Sequence, residues 1–71
     1  MKIEYYQETD SLYIDLKDAP SVDSVEVADG VVMDLDKSGH IVGIDIDHAS
    51  EKLDLANLET VSLPARTVKV G

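Results

Sequence analysis

The chain contains no cysteine, tryptophan or phenylalanine among its 71 residues, and only two histidines. Without cysteine it forms neither disulfide bonds nor thiolate zinc sites, and two histidines are too few for a histidine-based metal cage. A chain of this length buries one small core, which leaves roughly a few kcal/mol of net stability. We therefore expect a single domain over residues 1–71, with a homodimer as a means of gaining further burial.

Basic residues are also scarce. Six Lys and Arg stand against fifteen Asp and Glu, which gives a formal net charge of −9 and an isoelectric point near 4.3. Direct nucleic-acid binding requires a basic patch, and the sequence has no cluster of Lys or Arg, so we predict that the chain does not bind nucleic acid directly. The acidic field attracts basic proteins, and it also keeps a small protein soluble. Since no apolar stretch reaches membrane length and the first residues lack a signal-peptide core, we expect no membrane association and a cytoplasmic location.

Alternating apolar and polar residues predict five strands, at residues 2–6, 12–16, 22–28, 31–35 and 42–46. Asp29-Gly30 favours a type I′ hairpin turn between two of them. Further along, Ser50 or Asp54 can cap a short helix that carries Leu55 and Leu58, and residues 67–70 form either a last strand or a tail. The predicted fold class is α+β and mostly β, an antiparallel β-meander of about five strands with a short C-terminal helix.

The segment from residue 34 to residue 45 allows two interpretations. Asp34, Asp36, Ser38 and Asp45 fall at ligand positions of a calcium-binding loop. An EF-hand requires a helix on each side of that loop, whereas β-branched runs flank this one. We therefore favour a β-hairpin, and a divalent-cation site built from these four residues remains the alternative.

The same alternation places a group of carboxylates on the face opposite the apolar one: Glu4, Asp15, Glu26, Asp34, Asp45 and Asp47. Tyr6 and Tyr13 share that face, and Tyr5 lies on the apolar side. Aromatic rings beside carboxylates suit a protein interface, although a solvated outer face with a cross-strand tyrosine pair explains the same pattern. The predicted partner-binding residues are Tyr6, Tyr13, Asp15, Glu26 and Asp34.

No catalytic constellation is recognisable in the sequence. His40 and His48 lack an evident nucleophile, and the serines lack the G-x-S-x-G context of a nucleophile elbow. Neither a P-loop nor a G-x-G-x-x-G motif is present. We therefore predict no enzymatic activity and no cofactor, and a carboxylate pair in a dimer cleft would be the remaining route to catalysis.

Motifs across the first fifty residues form a further pattern, namely Tyr5, Asp10-x-Leu12-Tyr13-Ile14, Glu26, Gly30-Val31-Val32, D-x-D-x-x-G-x-I-V-G-I-D from Asp34 to Asp45, and Ala49-Ser50. Together they resemble a family of small prokaryotic domains of unknown function, number 2283. The chain departs from that pattern at Tyr6, where the family tends to carry aspartate, and at Asp45, where glutamate is usual. Members resembling this chain are often encoded beside small toxin-like domains. The resemblance thus implies that this chain is itself an antitoxin or immunity-like protein that blocks a basic ribonuclease.

The predicted function is accordingly a non-catalytic protein-binding module, with a small basic protein as its partner and an antitoxin-like or inhibitor role. Two alternatives stay open at the level of the sequence. One is the divalent-cation-binding domain described above. The other is a structural homo-oligomer that has no ligand.

Overall fold

A computed structural model of the chain describes residues 1–64. Within them, one five-stranded antiparallel sheet is followed by a short helix. The elements are β1 (Lys2–Tyr6), β2 (Ser11–Asp15), β3 (Asp23–Ala28), β4 (Val31–Leu35), β5 (Ile41–Ile46) and α1 (Ala49–Lys52). The predicted fold class is confirmed. The strand predicted at residues 67–70 lies outside the described residues.

The strands are arranged in the order β1-β2-β5-β4-β3. One hairpin, β1-β2, and one three-stranded unit, β3-β4-β5, are joined where β2 pairs with β5. In that pairing Leu12 lies opposite Ile46, and Ile14 lies opposite Ile44. The link from β2 to β3 therefore carries the chain from the interior of the sheet to its far edge.

Each strand alternates between two faces, because successive side chains in a strand point in opposite directions and directly paired residues share a face. The strand register defines an apolar face with Ile3, Tyr5, Leu12, Ile14, Val25, Val31, Met33, Ile44 and Ile46. It defines a polar face with Lys2, Glu4, Tyr6, Tyr13, Asp15, Ser24, Glu26, Val32, Asp34 and Asp45. The predicted division of the three tyrosines between the two faces is confirmed.

The main core cluster lies at one end of the apolar face, where Leu12 and Ile46 pack against the fully buried Ala49 of α1, while Val42 of β5 is buried outside this cluster. The turn between β1 and β2 holds this helix in place. The Ala49 amide donates to the Asp10 carbonyl at 2.8 Å, and the Asp10 carboxylate accepts hydrogen bonds from Ser50 and from the Tyr5 hydroxyl. The Ser50 hydroxyl, followed by Tyr5, lowers the pKa of Asp10. Residues far apart in sequence thus fix α1 against the sheet.

The predicted helix caps are wrong. Helix α1 begins after His48, which has a φ of 51° and provides no side-chain cap. Ser50 lies inside the helix and bonds to Asp10 instead, while Asp54 and the predicted helical leucines lie beyond its end. The reason is a tertiary contact: Ser50 donates its amide and hydroxyl hydrogen bonds to the Asp10 carboxylate, and this fixes the start of the helix close to β5.

The hairpin predicted at Asp29-Gly30 is present, but its turn is not type I′. That turn requires a positive φ at both central residues, and here Gly30 has a φ of 72° while Asp29 is not among the residues with positive φ. The register shifts between Glu26 and Ala28, so Val27 is an extra residue on its strand. A bulge in β3 therefore changes the geometry that the two turn residues must adopt.

Truncation of the central core residue should test this arrangement. Ile46→Ala removes apolar contacts between β5, Leu12 and α1, and we expect it to lower the free energy of unfolding by about 2–4 kcal/mol. Ile41→Ala is the matched control, because Ile41 is 39% exposed. Urea denaturation followed by circular dichroism measures both; an equal loss in the two variants would contradict the placement of the core.

Candidate functional site on the polar face of the sheet

A hydrogen-bonded bridge crosses the centre of the polar face. Tyr13 on β2 extends over Gly43 of β5, where an added Cβ would overlap the tyrosine ring and hydroxyl. The Tyr13 hydroxyl donates to Asp34 Oδ2 at 3.0 Å, and the Ser24 hydroxyl donates to Asp34 Oδ1 at 2.8 Å. Burial, followed by the Asp34 carboxylate, raises the pKa of Tyr13, so its hydroxyl remains a neutral donor. The bridge connects β2, β4 and β3 across the intervening β5.

Lys2 lies opposite Asp15 in the strand register, but the carboxylates around this bridge form no ion pair within residues 1–64. Asp45 lies between Tyr13 and Val32 in the strand register. Its desolvation, followed by the neighbouring Asp47 and Asp34, raises the pKa of Asp45. In the described part of the chain, no salt bridge involves the carboxylates at the centre and flank of the face, which are Asp15, Glu26, Asp34 and Asp45. The centre of the face is therefore electronegative.

The edge of the face at β1 has a different electrostatic character. Glu4 Oε1 pairs with Lys2 Nζ at 2.8 Å, and Glu4 Oε2 accepts a hydrogen bond from the Tyr6 hydroxyl at 2.9 Å. The hydrogen bond from Lys2, followed by the one from Tyr6, lowers the pKa of Glu4. The Tyr6 side chain itself is 49% exposed. This edge therefore presents the exposed Tyr6 ring beside a carboxylate, Glu4, whose charge is already paired with Lys2.

The structure brings together only some of the predicted binding residues. Tyr13 and Asp34 are in direct contact, and Asp15 lies opposite Gly43 beside them. Tyr6 and Glu26 lie on β1 and β3, the two edge strands, about 19 Å apart if strands are spaced by about 4.8 Å. The five residues therefore form a strip across the sheet.

Three further residues belong to this site and were not among the predicted binding residues. Asp45, which was predicted on this face and as a ligand of the alternative cation site, adds a carboxylate that forms no salt bridge within residues 1–64. Ser24 completes the bridge, and Gly43 leaves space for the Tyr13 ring. The sequence contains a signal for the last of these, because a glycine inside a strand often marks a close approach by another group. It contains no signal for the Ser24 contact, which depends on the pairing of β3 with β4.

The residues of the calcium-loop alternative are engaged in different contacts. Asp34 belongs to the bridge, whereas Asp36 Oδ1 accepts the amides of Ser38 and His40 at 2.9 and 3.0 Å. Asp36 Oδ2 lies 2.9 Å from Lys17 Nζ. Strands β4 and β5, rather than helices, flank the loop, so the hairpin interpretation is confirmed. Among residues 1–64, no group of three or more histidine or acidic side chains is arranged to hold a metal ion.

The region that carries the family-like motifs matches one known protein family. The model of the family described as "Protein of unknown function (DUF2283)" matches residues 2–50. The chain belongs to this family. The matched region contains all five strands and the start of α1, and with them both the Asp10 contacts and the Tyr13 bridge. No curated protein and no solved structure matches the chain.

One observation concerns membranes. No helix within residues 1–64 has the length and apolar character needed to cross a bilayer.

A small substitution at Gly43 tests the bridge. We expect Gly43→Ala to displace the Tyr13 side chain and to lower the free energy of unfolding by about 1–3 kcal/mol. In a Tyr13→Ala background the added methyl group has room, so the same substitution should cost at least about 1 kcal/mol less. Urea denaturation of the four proteins gives this coupling. An equal cost in both backgrounds would show that Tyr13 does not occupy the space above Gly43.

The ion pair between Lys17 and Asp36 gives a pH-dependent prediction. The hydrogen bond from Lys17, followed by the amide of His40, lowers the pKa of Asp36 to about 2, below an unfolded-state pKa of about 3.9. Because the folded-state pKa is depressed, the stabilisation is present above about pH 4 and is lost as the pH falls towards about 2.

Asp36→Asn keeps an acceptor for the two amides but removes the charge. We expect it to lower the urea midpoint at neutral pH and to have a diminishing effect as the pH falls from about 4 to about 2. Asp18→Asn is the control, since the Asp18 side chain makes no hydrogen bond or ion pair within the described residues. A midpoint difference that stays constant over this pH range would contradict the role of the ion pair.

Proposed function

We propose that the chain is a non-catalytic module whose polar face binds a basic protein. The observation that carries this proposal is the group of carboxylates around Tyr13, namely Asp15, Glu26, Asp34 and Asp45, for which the described residues supply no salt-bridge partner. Unpaired charges of one sign on an exposed surface attract a partner of opposite charge and accelerate its association.

The bridge gives this surface a fixed shape. Asp34 accepts hydrogen bonds from Tyr13 and Ser24, so its carboxylate is held in one orientation. A binding group that is already ordered loses little conformational entropy when the partner arrives. Val32 adds an apolar side chain beside Asp45, and Tyr6 adds aromatic area at the edge. This combination of fixed charge and aromatic area is typical of protein interfaces.

The two histidines lie on the surface, each near one carboxylate. His40 Nδ1 lies 3.9 Å from Asp36, and His48 Nδ1 lies 4.0 Å from Glu51. Both imidazoles are more than two-thirds exposed, with 73% and 71% of their side-chain surface accessible. General acid or base catalysis instead relies on a group positioned beside a reacting atom.

Within this proposal, the partner class is a small basic protein whose own function is to bind phosphates. A site built for nucleic acid carries cationic side chains that a row of carboxylates can occupy. The same class of partner is what the sequence resemblance implied, namely an antitoxin-like or immunity-like role against a basic ribonuclease. The chain would then act like an antitoxin, by covering the cationic site of a ribonuclease.

Charge reversal on the face tests the proposal. Tagged wild-type protein should capture one small basic protein from native lysate at low salt and release it as salt screens the charges. We expect Asp15→Lys combined with Glu26→Lys to reduce capture by about tenfold, which corresponds to about 1.4 kcal/mol. The captured protein should degrade RNA, and added wild-type chain should suppress this activity.

The matched control combines Asp18→Lys with Glu59→Lys, which changes the net charge equally at exposed positions outside the sheet. Circular dichroism checks that both double variants are folded. Equal capture by the two variants would assign the attraction to net charge alone, and the polar face would then not be the binding surface. Failure of the wild type to capture any basic protein would reject the function itself.

A further inference from the structure

The apolar face of the sheet contains a row of side chains that crosses all five strands. In strand order it consists of Ile3, Ile14, Ile44, Met33 and Val25, and we call it the apolar row. Each member lies directly opposite the next in the strand register. The two end members are 48% and 42% exposed, and the three central ones are partly buried. The row therefore presents a continuous apolar surface to its surroundings.

The protein's own helix covers the neighbouring row rather than this one. Ala49 of α1 packs over Leu12 and Ile46, which are 7% and 9% exposed. Ile14 and Ile44 contact the margin of that cluster but remain more exposed. Because α1 has only four residues, it covers the row that contains Leu12 and Ile46 but not the adjacent apolar row.

A second apolar element follows the helix. Residues 53–64, which we call the C-terminal arm, are exposed at every position. The arm contains five large apolar residues, which are Leu53, Leu55, Leu58, Val61 and Leu63. Its described hydrogen bonds connect it to α1 or to itself, as in the bond from the Leu53 amide to the Ala49 carbonyl and those between Asn57 and Asp54. Leu58 and Val61 are 73% and 77% exposed.

We propose that a second copy of this chain covers the apolar row, in a symmetric dimer in which the C-terminal arm of each copy lies across the row of the other. Such an exchange buries both apolar elements at once. A two-fold arrangement requires only one kind of contact, made twice.

The distribution of charge favours a second copy over a basic partner at this surface. None of the five residues of the apolar row is charged, whereas the carboxylates around Tyr13 lie on the opposite face. Two chains of net charge −9 can therefore associate through their apolar faces while their carboxylate-bearing faces point away from each other. A cationic protein would find no complementary charge along the row.

The area of the face shows why the arm is needed. Five strands spaced by about 4.8 Å, each of five or six residues that rise by about 3.3 Å, give a sheet face of roughly 400 Å². That is about half of the roughly 800 Å² per partner of a standard interface. An arm that crosses to the other copy adds to this area, so the proposed dimer depends on the arm as well as on the apolar row.

Sedimentation analysis from low micromolar to submillimolar protein tests the proposal. We expect wild type to sediment at twice the monomer mass of 7.7 kDa at the higher concentrations. Leu58→Asp combined with Val61→Asp should raise the dimer dissociation constant at least tenfold. Thr60→Asp combined with Ser62→Asp is the matched control, since it adds the same charge to the arm but keeps its apolar residues. A wild type that is monomeric throughout, or arm variants that dimerise like the control, would overturn the proposal.

Crosslinking then identifies the contact, because the chain has no cysteine of its own. Val61→Cys and Val25→Cys chains, each carrying a different tag, should form a mixed disulfide on gentle oxidation. Val61→Cys with Glu26→Cys is the control, since Glu26 lies on the polar face of the same strand. Equal yields from the two pairs, or no mixed disulfide with Val25→Cys, would reject the placement of the arm on the row.

Discussion

The pairing of β2 with β5 is the constraint on which the rest of the structure depends. It joins segments that are about thirty residues apart and unites a hairpin with a three-stranded unit. Closing such a loop costs chain entropy before any contact forms, so the cost must be offset by burial. Leu12 against Ile46 supplies that burial, with Ala49 above them. The helix is held in position because Asp10, in the turn that precedes β2, accepts hydrogen bonds from Ala49 and Ser50 just after β5.

The same pairing builds the polar face. With β5 between β2 and β4, a tyrosine on β2 can reach an aspartate on β4 only if the intervening position lacks a side chain, and Gly43 meets that requirement. The bridge then immobilises one carboxylate, while Asp45 on the central strand forms no salt bridge within the described residues and has a raised pKa. Stability and electrostatics are thus coupled, because the space that Gly43 leaves for the Tyr13 ring also lets the Tyr13 hydroxyl hold the Asp34 carboxylate near the centre of the sheet.

The sequence predicted those features that depend on local pattern. Period-two alternation identified five strands and the faces of the three tyrosines, because alternation alone determines which side chains share a face. The motif around Gly39 indicated the family, and the β-branched runs on either side of it indicated the hairpin of β4 and β5. The strand order could not be predicted, since it depends on contacts such as Leu12 with Ile46. The predicted cap of α1 and the predicted type of turn at Gly30 were wrong for a related reason. Ser50 bonds to Asp10, forty residues away, and a bulge at Val27 changes the geometry of the turn. The Ser24 to Asp34 contact likewise exists only after β3 and β4 have paired.

Within residues 1–64, one helix of four residues packs against the five-stranded sheet, and both faces of the sheet keep exposed side chains. Each central strand contributes to both faces: on β5, Gly43 and Asp45 lie on the side of the bridge, while Ile44 between them lies in the apolar row. A substitution on one face therefore leaves the side chains of the other in place, provided that the backbone keeps its register. Because the two faces point in opposite directions, occupation of the apolar row by a second copy leaves the carboxylates of both copies accessible. Two such faces, held on opposite sides of one assembly, would allow each copy to bind its own basic partner without competition between the two surfaces.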